Sequence, residues 1–241
     1  MRDTFYIERS DLIESFQFDS SVVNVFDNMI RRSVPGYAFT LSLIRVIAEQ
    51  YFIPATACYD LGCSTGASAI ACAEIVNKRK GRIVAIDNSA PMIEQCQLNM
   101  STLQVAVPME FRCEDIMSSV MTESSLVLLN FTLQFLGLNK RPLLLKSIFD
   151  GLVPGGVLIL SEKILNNDSA TNVILNALHH QFKAENGYSK LEISSKKEAL
   201  EGVLISQTQE QYRTALLQAG FSKVITVHQA FNFVSLLALK S

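Results

Sequence analysis

Residues 59–66 read YDLGCSTG, and this stretch decides the fold because it links a short apolar run to a helical one. The run 56–61 has the length of a buried strand, and the apolar residues of 66–77 recur at helical spacing. Gly62 and Gly66 permit a tight turn and a close approach of the backbone to a ligand. A turn of this kind predicts a ligand site beyond the carboxyl end of the first strand of an α/β sheet.

The alternation of strand and helix continues along the chain and predicts parallel βαβ units. The last two predicted strands are separated by only three residues, which indicates an antiparallel hairpin. We predict strands at 56–61, 82–86, 107–112, 125–130, 157–161, 222–227 and 231–239, and helices at 37–52, 66–77, 91–100, 140–150 and 209–219. The fold class is therefore α/β: a Rossmann-like, mostly parallel seven-stranded sheet with a C-terminal antiparallel hairpin. That layout is typical of class I S-adenosylmethionine-dependent methyltransferases.

The domain organisation predicted from these patterns is a single domain over residues 1–241. An N-terminal helical cover spans 1–52, where apolar residues recur at helical spacing before and after Pro35-Gly36. The α/β core spans 53–241 and carries a mostly helical, charged insertion at about 165–205.

Composition and charge disfavour several classes of protein. The formal charge is −2, whereas nucleic-acid binders are usually basic. The longest uncharged apolar run, 124–139, is too short and too polar to span a bilayer. The acidic N-terminus does not resemble a targeting segment. The five cysteines form no C-x-x-C pair, which favours reduced thiols and a cytoplasmic location.

Polar residues end four consecutive predicted strands, and each has a role at a nucleotide site. Asp87 can accept hydrogen bonds from both ribose hydroxyls. Asp115 can accept from the adenine amino group, while Ile116 packs on the ring. The residues at these four ends are Asp60, Asp87 with Asn88, Asp115 with Ile116, and Asn130.

Three other interpretations of the glycine motif stay open. The dinucleotide fingerprint needs glycines at 62, 64 and 67, and only Gly62 is present. The letters G-x-S-x-G also match a hydrolase nucleophile elbow, with Ser64 followed by an Asp and His228 as a triad. That elbow follows several strands in hydrolases, whereas this motif follows the first. The third alternative is a structural turn without a ligand.

The chain resembles the carboxy-S-adenosylmethionine synthases over nearly its full length. The runs SVPGY at 33–37 and LNFTLQFL at 129–136 are the most specific, and the nucleotide motif alone is not. Further resembling stretches are YDLGCS at 59–64, AIDNS at 85–89, LSEK at 160–163, HHQFK at 179–183, ENGYS at 185–189, LEIS at 191–194 and FNF at 231–233.

The resemblance implies a function and a set of binding residues. The family makes carboxy-S-adenosylmethionine from S-adenosylmethionine and prephenate and releases phenylpyruvate. Its product serves a partner enzyme that carboxymethylates the wobble uridine of tRNA. The resemblance also implies a cytoplasmic homodimer with S-adenosylmethionine as a substrate, without a metal, a membrane or direct nucleic-acid binding. The implied contacts to S-adenosylmethionine are Tyr37, Gly62, Cys63, Ser64, Asp87, Asn88, Asp115, Ile116, Asn130 and Lys197.

Lys197 is the residue that we predict to anchor the new carboxylate of the product. The family has an arginine at this position, so the chain replaces a planar two-pronged fork with a point charge. In the implied chemistry, prephenate loses carbon dioxide and hydroxide as its ring becomes aromatic. The hydroxide takes a proton from the sulfonium methyl group, and the resulting ylide attacks the carbon dioxide. The sequence offers no obvious protein base.

Other features leave alternatives beside this interpretation. An ordinary methyltransferase acting on a small molecule or tRNA shares the fold, although Asn130 is not followed by the N-P-P-Y motif. A non-catalytic nucleotide-binding module is the third hypothesis. His179 and His180 are adjacent on a predicted helix and diverge by about 100°, which favours structural roles over a metal site, with a prephenate contact as the minority view. Core packing is the favoured role of Phe131, Phe135, Phe231 and Phe233.

Overall fold

The structure is a computed structural model that describes residues 23, 25–200 and 202–241; the side chains of residues 196, 197 and 199 lie outside the described set. The helices are α1 (Phe26–Ser33), α2 (Tyr37–Tyr51), α3 (Ala67–Lys78), α4 (Ala90–Ser101), α5 (Arg141–Gly151), α6 (Ser169–Glu185), α7 (Lys190–Leu200) and α8 (Gln209–Ala219), with a 3₁₀ turn at Leu133–Phe135. Within this part of the chain, no helix is long and apolar enough to cross a membrane.

The strands are β1 (Ala57–Leu61), β2 (Arg82–Asp87), β3 (Met109–Cys113), β4 (Ser124–Asn130), β5 (Leu152–Leu165), β6 (Gln207–Thr208), β7 (Lys223–Ala230) and β8 (Phe233–Leu239). They form one mixed sheet in the order β3-β2-β1-β4-β5-β8-β7. Strands β1 to β5 run parallel, and β8 pairs antiparallel with both β5 and β7. The predicted fold is therefore confirmed. Sequence reasoning missed one further strand of two residues, β6, which pairs with the end of β5.

Strand β1 lies at the centre of the molecule and is buried on both faces. Tyr59 and Leu61 pack on one face, in a cluster that includes residues of α5 and α8. Cys58 packs on the other face, in a cluster that includes residues of α2 and α3. A central parallel strand covered on both sides explains why residues 57–59 are consecutive hydrophobic residues rather than alternating with polar ones. All five cysteines are unpaired, and Cys113 is the exposed one.

The start of β5 and the end of β7 differ from the predicted strand boundaries, and backbone pairing explains both differences. Residues 153–156, which look like a turn before the fifth strand, belong to β5. The amide of Gly155 donates to the carbonyl of Lys240 at 2.9 Å, and the amide of Lys240 donates to Gly156 at 3.0 Å. Strand β7 extends to Ala230, because Ala230 pairs with Phe233. The hairpin connection is therefore two residues long rather than three.

Candidate functional site

A cavity of about 700 Å³ lies beyond the carboxyl ends of the parallel strands. It opens where β1 and β4 lie side by side, at the point where the order of the strands reverses. Nine of the ten predicted binding residues line it, although they come from five separate stretches of the chain. They are Tyr37, Gly62, Cys63, Ser64, Asp87, Asn88, Asp115, Ile116 and Asn130.

The loop after β1 is tied to the end of β2. The amides of Gly62 and Cys63 both donate to the carbonyl of Ile86, at 2.8 and 2.9 Å. Gly62 has a φ of +72°, and a Cβ atom at this position would lie 2.5 Å from the side chain of Thr132. Ser64 also adopts a left-handed backbone, with a φ of +47°. Ser64 thus adopts the left-handed backbone conformation at the position where the usual S-adenosylmethionine-binding motif has its middle glycine.

Asp87 holds this loop through its carboxylate. One oxygen accepts the Ser64 amide and the other accepts the Ser89 amide, each at 2.9 Å. Burial raises the pKa of Asp87, while the hydrogen bonds from backbone amides oppose the rise. Each carboxylate oxygen can accept a further hydrogen bond. The group can therefore bind a pair of hydroxyls without releasing the loop.

Asp60, the acidic residue that opens the motif, has a structural contact at the start of α3. Its carboxylate accepts the Ala69 amide at 3.0 Å, and the residue is 1% exposed. Burial raises the pKa of Asp60 to about 7, and the nearby charge of Asp87 adds to the rise. Asp60 does not line the cavity wall described above, so its charge reaches the site only indirectly.

We expect the pH dependence of stability to flatten when Asp60 is replaced by asparagine, which can still accept the Ala69 amide. Between pH 4 and 7 the folded state keeps the Asp60 proton and the unfolded state, with a pKa near 3.8, has lost it. The wild-type free energy of unfolding therefore falls as pH rises, by up to about 1.4 kcal/mol per pH unit. Urea denaturation of both proteins at several pH values, without ligand, measures the difference. Equal slopes for the two proteins would contradict the assignment.

Asn130, at the end of β4, has one free acceptor in the cavity wall. Its amide nitrogen donates to the hydroxyl of Ser68 at 2.9 Å. Its carbonyl oxygen Oδ1 is buried and has no hydrogen-bond partner among the residues that the structure describes. Unpaired buried acceptors are rare, because they lose hydrogen bonds to water without replacement. Asn130 Oδ1 is thus available to a donor group of a bound ligand.

The remaining predicted contacts differ in exposure. Asn88 and Asp115 are exposed, and the Asp115 carboxylate accepts the Met117 amide at 2.9 Å. Ile116 is buried and presents an apolar surface to the cavity. An exposed carboxylate beside a buried apolar side chain suits a flat heterocycle with a polar edge.

Helices α1 and α6 cover the cavity and are joined to the core by side-chain bonds. Thr65 donates to Asp27 of α1 at 2.6 Å, which links the cover to the nucleotide loop. His179 Nε2 donates to the carbonyl of Ser33 at 2.7 Å, which links α6 to α1. Burial lowers the pKa of His179 to about 3, with a contribution from the charge of Lys183. His179 is therefore neutral near pH 7 and has the structural role that the sequence favoured.

Tyr37 joins this cover from the start of α2. It is 7% exposed, and burial raises the pKa of its hydroxyl group, helped by Asp27 and Asp60. Its ring centroid lies 6.2 Å from that of Phe131. Phe131, Phe135 and Phe233 all line the cavity, and Phe233 is also buried at 6% exposed, in agreement with the core role favoured for it. They face the ligand space because the strand ends that carry them open into it.

Lysines line the other end of the cavity, and sequence reasoning did not single them out as site residues. Lys163 lies on β5, and Lys183 lies on α6 beside His180, three positions earlier. Burial lowers the pKa of Lys183 to about 8, and the charge of Lys163 contributes. Both lysines lie in stretches that carry the resemblance, 160–163 and 179–183. The spacing of His180 and Lys183 also places these two on one helix face.

Glu162 supports the part of the cavity wall formed by the turn at Leu133 and Gln134. It is 1% exposed, and its two oxygens accept the amides of Leu133 and Gln134, at 2.8 and 3.1 Å. Burial raises the pKa of Glu162 to about 8, and the nearby Arg141 opposes the rise. Phe131, just before this turn, has a φ of +58°, which is unusual for a bulky residue. The buried carboxylate helps to hold that strained segment against the cavity.

The hydrolase alternative is wrong. Ser64 lines the cavity and follows the first strand, but His228 does not line it. His228 lies near Gly36 and packs against Phe39 with ring centroids 4.9 Å apart. Its Nε2 has no hydrogen-bond partner in the described part of the chain. No group of three or more metal-ligating side chains occurs among the described residues.

Lys197, the tenth predicted residue, lies in α7, and its side chain is outside the described residues. Helix α7 follows α6, and Leu200 at its end lines the cavity. The carboxylate-anchoring role of Lys197 stays a prediction.

Comparison with known proteins gives consistent results. A sequence-family profile described as "Methyltransferase domain" matches residues 59–156. The chain is 48% identical over 228 residues to a carboxy-S-adenosyl-L-methionine synthase of Marinobacter nauticus, covering 95% of this chain and 91% of the relative. It is 44% identical over 239 residues to the synthase of Shewanella piezotolerans, covering 99% and 98%.

Solved structures of low sequence identity share the fold. A magnesium protoporphyrin IX methyltransferase from Synechocystis with bound SAH superposes with a TM-score of 0.65, at 15% identity, covering 93% of this chain and 96% of that one. A putative S-adenosyl-L-methionine-dependent methyltransferase from Methanococcus maripaludis gives a TM-score of 0.63, at 18% identity, covering 95% and 96%. The sheet with its terminal hairpin is therefore the methyltransferase fold.

Proposed function

Since the chain belongs to the carboxy-S-adenosyl-L-methionine synthase family, we propose that it converts S-adenosylmethionine and prephenate to carboxy-S-adenosylmethionine and phenylpyruvate. The product would supply carboxymethylation of the wobble uridine in tRNA. The observation that carries the proposal is the 48% identity, which extends over 91% of a synthase rather than over the nucleotide-binding half alone.

The residues present fit S-adenosylmethionine. Asp87 has acceptor capacity for the ribose hydroxyls, and Ile116 offers an apolar surface to adenine. The unpartnered oxygen of Asn130 suits a donor such as the ammonium group of the methionine moiety. Gly62, which has no Cβ atom, lets the loop pack directly against Thr132 in the cavity wall. These features support binding of the adenosyl substrate along β1, β2 and β4.

The chemistry needs a closed site that holds two substrates. Prephenate releases carbon dioxide and hydroxide as it becomes phenylpyruvate, and the hydroxide and a proton of the sulfonium methyl group leave as water. The carbon dioxide is transferred to that methyl carbon. Water exclusion and alignment of the reactants account for much of such a rate enhancement. The cover of α1 and α6, tied by Thr65 to Asp27 and by His179 to Ser33, would exclude water while Lys197 stabilises the new carboxylate.

The direct test is incubation of the purified protein with both substrates, followed by mass spectrometry. We expect a product heavier than S-adenosylmethionine by the mass of carbon dioxide, together with phenylpyruvate. Absence of this product, with S-adenosylmethionine bound and the protein folded, would overturn the proposal. Transfer of a labelled methyl group to bulk tRNA in the same preparation would instead identify an ordinary methyltransferase.

The substitution Lys197→Arg tests the carboxylate anchor. Arginine offers two parallel hydrogen bonds to a carboxylate, so we expect turnover at limiting prephenate to rise about threefold to tenfold. Lys197→Met should lower it, and the exposed Lys78→Arg is the matched control, with no change expected. An unchanged rate in both Lys197 variants would exclude Lys197 from the site.

The assembly and location of the protein belong to this proposal. We propose a cytoplasmic homodimer that acts without a metal and without binding nucleic acid directly. Sedimentation at micromolar concentration measures the dimer, and a gel-shift assay with bulk tRNA measures nucleic-acid binding. A monomer that turns over prephenate would correct the first part without affecting the reaction.

A further inference from the structure

We infer that Lys183 and Lys163 form the subsite for the carboxylate that prephenate keeps when it becomes phenylpyruvate. This inference rests on the proposed function, because it takes prephenate as the second substrate. It assigns a substrate-binding role to two lysines that sequence reasoning left unassigned, and it specifies which of the two carboxylates of prephenate they bind.

The first observation is a buried cation without a counterion. Lys183 is 8% exposed and lines the cavity. Among the described side chains, no carboxylate pairs with it. In the described part of the chain, the charged and titratable groups near it are Lys163, His179 and His180, which add no negative charge. A buried charge without a partner is costly to the folded protein, and an anion bound beside it removes that cost.

The second observation is the separation of charge along the cavity. Among the described residues, the carboxylates that line the cavity are Asp87, at the end of β2, and Asp115, after β3, whereas Lys163 lies on β5. Strands β2 and β5 are separated by three strand spacings, or roughly 14 Å. The adenosyl substrate, bound at the acidic end, leaves the basic end for a second, anionic molecule. Prephenate, with two carboxylates, has the matching charge.

The chemistry decides which carboxylate lies there. One carboxylate of prephenate leaves as neutral carbon dioxide, so its charge decreases in the transition state. A lysine bound to that group would stabilise the ground state more than the transition state and would slow the reaction. The carboxylate of the pyruvyl side chain keeps its charge throughout. Cations bound to it give affinity and orientation without raising the barrier, so the pair of lysines suits the retained carboxylate.

The test is Lys183→Met, which keeps the length and packing of the side chain and removes its charge. We expect the KM for prephenate to rise at least about tenfold, because a buried charge pair is lost. The inhibition constant of phenylpyruvate should rise in parallel, while the dissociation constant of S-adenosylmethionine stays unchanged. The Tm of the unliganded protein should stay equal or rise, since an uncompensated buried charge has been removed. Lys190→Met, at an exposed lysine of α7, is the matched control, with no change expected.

Three results would overturn the inference. The first is an unchanged KM for prephenate. The second is a raised KM with unchanged inhibition by phenylpyruvate, which would assign the lysine to the carboxylate that leaves. The third is a lower Tm together with weaker S-adenosylmethionine binding, which would make Lys183 structural. Lys163→Met, at a half-buried position, repeats the test should Lys183→Met fold poorly.

Failure of the proposed function has a different signature. If wild type gives no product from prephenate, the reaction is wrong. Calorimetric titration with phenylpyruvate still tests the subsite in that case. Binding to wild type that weakens about tenfold in Lys183→Met would support an anion site for an aryl keto acid, and equal binding by the two proteins would exclude it.

Discussion

Gly62→Ala is expected to abolish measurable binding of S-adenosylmethionine. The φ of +72° at Gly62 costs an alanine about 1–2 kcal/mol. The new Cβ would also lie 2.5 Å from the Thr132 side chain, so the loop or the end of β4 must move. Both segments line the cavity, and we expect the dissociation constant to rise by more than about 100-fold. Isothermal titration calorimetry measures it.

Gly155→Ala is the matched control for this substitution. Gly155 has a similar φ of +81°, but a Cβ atom there would meet only Ile53, at 3.7 Å. It therefore carries the backbone strain without the steric clash and lies outside the cavity lining. We expect a lower Tm with unchanged affinity for S-adenosylmethionine. Equal affinity losses in the two variants would mean that strain, rather than the contact with Thr132, closes the site.

Asp87→Asn is expected to weaken S-adenosylmethionine binding by about 100-fold, because about 3 kcal/mol of hydrogen bonding is lost. The carboxylate accepts the amides of Ser64 and Ser89, and asparagine can accept only one of them through its single oxygen. The other amide then faces an NH₂ group, and the ribose hydroxyls lose one acceptor. The affinity of wild type should also fall as pH is lowered through the raised pKa of Asp87.

Asp168→Asn is the control for the loss of an amide acceptor. The carboxylate of Asp168 accepts the amides of Ala170 and Thr171 at the start of α6, but the residue is exposed. Asparagine caps a helix about as well as aspartate, so stability and affinity should both stay near wild type. If Asp87→Asn behaves in the same way, the adenosyl substrate does not depend on this carboxylate.

The nucleotide end of the site follows from local patterns. The run YDLGCSTG and the polar residues after β2, β3 and β4 each mark the end of a strand. Parallel strands bring their carboxyl ends to one edge, so residues that end neighbouring strands must meet there. Gly62, Asp87, Asp115 and Asn130 therefore line one cavity, as their positions at the ends of the predicted strands indicate.

Local patterns failed where backbone pairing or burial depends on distant partners. Residues 153–156 have the composition of a turn, yet Lys240 draws Gly155 and Gly156 into β5. Glu162 lies just beyond the strand predicted at 157–161, and its burial depends on the turn at Leu133 that it supports. Nothing in the residues around either segment specifies those partners.

Local patterns were enough to predict the sheet, its hairpin and the nucleotide loop, because hydrophobic period and glycine placement act within a few residues. The tertiary structure alone decided how the cavity is covered and where its charge lies. His179 and Ser33 are 146 positions apart, and Thr65 and Asp27 are 38 apart. Lys163 of β5 and Lys183 of α6 line one cavity only because the packed chain brings these two elements to it. Contacts of this kind arise from chain packing, and a local period contains no information about them.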